Sequence, residues 1–168
     1  MFDAAVPPTD HRPAQTERGS FNELTGQVAG ESADSVLAKF KPALPDEMVE
    51  FDKADRGDAI NHDLYGYDPE RQLAVIQVRH AFRRYRNGYL NVRKSYFLAG
   101  YTETGEPFRH PVGASAVRAA VRKNGDDPAE VVRAAERWVF AVTQKQHARS
   151  VRQGDVLMFQ ARGQPDAE

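Results

Sequence analysis

Hydrophobic and polar positions change period twice along the chain. From Leu73 to Phe82, Ala74, Ile76, Val78, His80 and Phe82 fall on one side of an extended strand. A second run from Tyr89 to Tyr101 is rich in aromatic and β-branched residues. Between the two stands Asn87-Gly88, the dipeptide that best accepts the positive φ angles of a type I′ turn. The pattern predicts a long β-hairpin. A turn at Thr104-Gly105-Glu106-Pro107 returns the chain through Phe108 to Val112 as a third strand.

The period then becomes helical. Ser115 to Lys123 carries Val117, Ala120 and Val121 on one face and ends at Asn124-Gly125. Asp127-Pro128-Ala129-Glu130 supplies a cap, a proline at the first helical position and an acid two residues later. The helix it opens aligns Val131, Ala135, Trp138, Val139 and Val142, and this stripe, Trp138 included, is expected in the core. A last strand, Val156 to Phe159, follows the Gln153-Gly154-Asp155 turn. The expected class is α+β: a small antiparallel sheet built on the long hairpin, with two helices on one face. A strongly curved, barrel-like sheet is the alternative.

The first part of the chain reads differently. Residues 1–32 are rich in Pro, Ser, Thr, Gly and acids, a composition that buries too little surface to offset ordering entropy. Two short helical pieces follow. Asp34 or Ser35 caps the first, which carries Val36, Leu37 and Phe40; the second starts at Pro45 and carries Met48, Val49 and Phe51. Either they dock on the main domain or they await a partner. The expected organisation is an acidic, largely disordered segment over residues 1–62, a compact α+β domain over 63–160 and a frayed tail over 161–168.

Net charge sharpens that division. The 168 residues sum to −1, but residues 1–70 hold 6 basic and 15 acidic side chains, and residues 71–151 hold 15 basic and 6 acidic. One block is therefore −9 and the other +9, which points to a polyanionic partner or to one half neutralising the other. With no cysteine, disulfides and thiolate zinc sites are excluded. The start of the chain lacks the pattern of a secretory signal, and the longest apolar run, Leu73 to Ile76, is far too short to span a membrane. The cytoplasm is the expected location, with no membrane partner.

The densest chemical signal is Arg79, Arg83, Arg84, Tyr85, Arg86, Tyr89, Arg93, Lys94 and Tyr96. On a hairpin these side chains offer cations to phosphates and rings to unpaired bases, and a two-stranded ribbon can also enter a major groove. The expected function is a non-enzymatic module that contacts nucleic acid. The competing plain reading is a solvated sheet face paired with the acidic half. A second function class uses Asp46, Glu47, Glu50, Asp52, Asp55 and Asp58 to grip a basic, nucleic-acid-processing protein as an interaction partner or inhibitor. A third is a small RNA-cleaving enzyme in which His80, His110 and His147 converge. The group Asp55, Asp58, His62, Asp63 and Asp68 has ligand chemistry but matches neither an EF-hand nor a HExxH helix, so no metal is expected. Nucleotide-cofactor motifs are absent, and no cofactor is expected.

Overall fold

Four strands form an antiparallel meander in the order β3-β4-β5-β6: β3 (Ala59–Asp68), β4 (Leu73–Arg83), β5 (Leu90–Tyr101) and β6 (Pro107–Val112). The computed structural model of the protein describes residues 21, 26–45, 59–83, 90–125 and 127–159. Ahead of the sheet lie a small hairpin, β1 (Gln27–Val28) with β2 (Glu31–Ser32), then helix α1 (Ala33–Phe40) and a 3₁₀ turn (Lys41–Ala43). After it come α2 (Ala114–Asn124), α3 (Pro128–Val139), α4 (Gln144–Ala148) and a hairpin of β7 (Ser150–Gln153) with β8 (Val156–Phe159). The fold is α+β, and the sheet is open rather than closed into a barrel. None of the described helices is long and apolar enough to cross a membrane.

Local signals account for the helix ends. Ser32 Oγ accepts the Ser35 N–H at 3.1 Å and caps α1. The Asp127 carboxylate accepts the Ala129 and Glu130 N–H groups, both at 3.1 Å, and caps α3. Gly125, at φ +56°, ends α2 with a backbone conformation other residues rarely adopt.

The sheet is buried on both faces. Val75, Leu98, Tyr96 and Val112 lie against Val117, Ala120 and Val121 of α2 and Val131, Val132 and Ala135 of α3. Those are the two helices expected on one face. The opposite face carries Leu64, Tyr67, Ala74, Ile76, Val78 and Ala99, and α1 covers it with Val36, Leu37 and Phe40, helped by Ala43 and Leu44. Phe40 has no exposed surface and sits between Tyr67 (ring centroids 6.1 Å) and Tyr101 (5.9 Å). The first short helical piece therefore docks. The second lies outside the described residues.

This arrangement explains why Leu73 to Val78 is buried residue after residue. An antiparallel strand with one wet face alternates, whereas one sandwiched between layers does not. It also moves the start of the folded body. β3 begins at Ala59, so the boundary expected at residue 62 falls inside a strand, and α1 belongs to the core. Nothing in Asn61-His62-Asp63 advertises a strand, and a bulge between Leu64 and Gly66 breaks the period of two.

Gly66 is where α3 crosses β3 most closely. A Cβ there lies 3.0 Å from Val131 Cγ1 and 3.1 Å from the Pro128 carbonyl oxygen. Because one of those neighbours is backbone, Gly66→Ala is expected to cost about 1–3 kcal/mol by overpacking. A thermal midpoint equal to that of the parent protein refutes that tight contact.

Trp138 departs from expectation: it is 53% exposed. The buried side of α3 runs through Val131, Val132, Ala135 and Glu136, which leaves Trp138 at its margin. Its indole covers Gly113 at the start of α2, with Cζ2 3.2 Å from where a Cβ would stand, and otherwise faces outward.

Candidate nucleic-acid interface

β4 and β5 run on beyond the helices that cover the rest of their face. Gln77 and Tyr96 form the last buried cross-strand pair on the α2–α3 side, and β6 stops there, with Val112 opposite Tyr96. Gln77 Nε2 donates to the Tyr96 hydroxyl at 2.7 Å. Tyr96 is 8% exposed and so belongs to the core; its ring is not available as a stacking platform.

The next pair on this face is Arg79 opposite Lys94, followed by Ala81 opposite Val92. Asn61 of β3 stands opposite Arg79 on its other side. Asn61 and Lys94 are exposed and Arg79 is half-buried. Neither Arg79 nor Lys94 takes part in an ion pair among the described residues. Directly opposed residues hold their Cβ atoms about 5 Å apart, and like charges there repel.

Strand parity divides the predicted cluster. Arg93 is exposed but stands opposite His80, on the α1 side of the sheet. The backbones of Arg83 and Leu90 close the described pairing. Arg84, Tyr85, Arg86 and Tyr89 lie outside the described residues, as do Asp46, Glu47, Glu50, Asp52, Asp55 and Asp58. The register differs from that of a two-residue turn on Asn87-Gly88. Such a turn sets Arg79 against Tyr96, whereas the strands pair Arg79 with Lys94, two positions away.

The histidines do not converge. His80 is on the α1 face, while His110 stands opposite Leu98 on the α2–α3 face. On β5 their partners, Arg93 and Leu98, are five residues apart, about 17 Å of strand. His110 Nε2 lies 3.2 Å from the Asp155 carbonyl oxygen, and its ring meets Phe140 edge-on. His147 Nε2 lies 2.8 Å from Glu136 Oε2. Each of these two rings ties the α4–β7–β8 unit to the body. Among the proposed metal residues, His62 and Asp63 are neighbours on β3 and so point to opposite faces. No group of three His, Cys, Asp or Glu among the described residues could hold an ion.

Glu136 was the feature hidden from sequence reasoning. Its side chain has no exposed surface, and its carboxylate accepts from Arg71 Nη2 and His147 Nε2, both at 2.8 Å. Asp68 Oδ1 accepts the Glu70 and Arg71 N–H groups (3.1 and 3.2 Å) and so shapes the β3–β4 turn that carries Arg71. Arg152 of β7 donates to the carbonyls of Arg71 (2.7 Å) and Gly154 (2.6 Å), with its guanidinium 5.8 Å from the Phe108 ring centre. The Gly154 N–H donates to Glu103 at 2.8 Å, which holds that carboxyl below its ordinary pKa. The cluster is a polar clasp at the opposite end of the sheet from Arg79 and Lys94. One signal was present: an acid at position 136 continuing the i, i+4 stripe from Val132.

No family model matches this chain, and no curated protein or solved structure is detectably similar to it.

Proposed function

We propose that the protein is a non-enzymatic module that binds nucleic acid through the outer part of the β4–β5 hairpin, with Arg79, Lys94 and Arg93 joined by Arg83, Arg84, Tyr85, Arg86 and Tyr89. The supporting observation is the direct opposition of Arg79 and Lys94 on one face, with no ion pair among the described residues to offset their repulsion. Bound phosphate supplies a counter-charge and displaces condensed cations from the nucleic acid, a favourable entropic term. The +9 block in which the pair stands favours the same class of ligand. The absence of cysteine suits a reducing compartment, and this reading puts the protein in the cytoplasm.

Fluorescence anisotropy of labelled DNA and RNA across salt concentration tests it. The double variant R79A/K94A is expected to weaken binding and to lower the salt slope by about 1.4 on single strands or 1.8 on duplex, two phosphate contacts' worth. If affinity and slope stay as in the parent, the hairpin is not the contact surface. The acidic positions Asp46 to Asp58 then become the first place to look for a protein partner.

A further inference from the structure

The face that carries Arg79 and Lys94 sets a row of polar side chains beside a row of apolar ones. Three strands contribute to it, because β3 accompanies β4 as far as the Ala59–Ala81 pair. Across them runs a row of donors, Asn61, Arg79 and Lys94, in direct register. One step outward along the strands, on the same face, Ala81 and Val92 form a small, flat apolar row, with Val92 50% exposed.

From this layout we infer that the ligand of the hairpin is a single-stranded nucleic acid lying across the strands, its phosphates on the Asn61–Arg79–Lys94 row and its bases against Ala81 and Val92. The inference rests on the function proposed above. Two geometric arguments separate the ligand classes. Adjacent strands are about 4.8 Å apart, so the axes of β3 and β5 are about 10 Å apart before side chains are added. A B-DNA major groove is about 12 Å wide and admits a two-stranded ribbon or a helix. The flanking β3 therefore keeps Arg79 and Lys94 out of the groove. Secondly, a duplex presents phosphates outward and turns its bases inward, which leaves an apolar row beside the cations with nothing to cover. An unpaired strand exposes base faces next to its phosphates and matches both rows at once.

The full chain is titrated into labelled oligothymidylate and oligouridylate of about 15 nucleotides, within the site sizes of single-strand binders, and into a duplex of equal length. Both single strands are expected to bind at least about tenfold more tightly than the duplex. Asn61→Ala is expected to weaken single-strand binding, and Val92→Glu, which sets a carboxylate on the flat row, to weaken it about tenfold. Val92→Asn, uncharged and at the same exposed position, gives a second reading if the glutamate perturbs the strand. Duplex binding as tight as single-strand binding, and still dependent on Arg79 and Lys94, overturns the inference while leaving the hairpin as the contact surface. Binding of neither class, or binding that R79A/K94A leaves unchanged, overturns the proposed function and this inference together.

Discussion

Glu136→Ala is expected to destabilise the protein by about 3–5 kcal/mol, the range found when one member of a buried charged pair is removed. The carboxylate has no exposed surface and is the shared acceptor of Arg71 and His147. Alanine leaves both donors without that acceptor and opens a void between α3 and α4. For a chain of this length each kcal/mol shifts the midpoint by about 2–4 °C, so a fall of roughly 6–20 °C is expected. Glu136→Gln, which keeps the volume and one acceptor oxygen, should lose less. A double-mutant cycle of Glu136→Gln with His147→Ala isolates the contact, and a coupling of about 0.5–3 kcal/mol is expected between them. A loss under about 1 kcal/mol in Glu136→Ala, or no coupling in the cycle, contradicts the clasp.

Phe40→Ala tests the other unexpected part of the fold and should cost about 3–5 kcal/mol. The ring has no exposed surface and packs between Tyr67 and Tyr101, residues that belong to β3 and β5. Urea unfolding of the variant should remain one transition at a lower midpoint, with the slope unchanged. That outcome follows because α1 and the α2–α3 pair bury opposite faces of one sheet, sharing β3, β4 and β5, so neither layer can leave without exposing the other's support. A variant with the parent's midpoint, or one that unfolds in two steps, makes α1 a separable attachment.

Much of the secondary structure was legible because it is written in short-range chemistry. The Asp127 cap, Gly125 at a positive φ and the extended apolar run of β4 each rest on chemistry within a few residues, and each appears where the sequence implies it. β3 was not legible. It is an edge strand, with one side paired to β4, and its bulge turns Tyr65 out of register, so neither composition nor period marks it. The sequence implies a short helix at α1, but its apolar edge of Val36, Leu37 and Phe40 does not specify which surface it meets.

The candidate site divides in the same way. A basic hairpin could be read from Arg79 to Lys94, and parity alone separates Arg79 and Lys94 from Arg93. Their pairing depends on a register that differs by two positions from that of a two-residue turn on Asn87-Gly88, and that register sets Tyr96 against Gln77 and Val112. Trp138 stands outside the core and Glu136 inside it for a related reason. A helix's apolar stripe shows which residues can face inward, whereas the neighbours it meets determine which of them do. Arg71 and His147 give Glu136 the partners a buried carboxylate requires, whereas Trp138 lies against Gly113 at the start of α2. By itself, then, the sequence determined the class of fold, the hairpin, the end of α2 at Gly125, the start of α3 at Asp127 and the charge division, all of them local or additive properties. Only the tertiary structure decided the register, the double burial of the sheet, the separation of the histidines and the clasp at Glu136, because each depends on contacts between residues far apart in the chain.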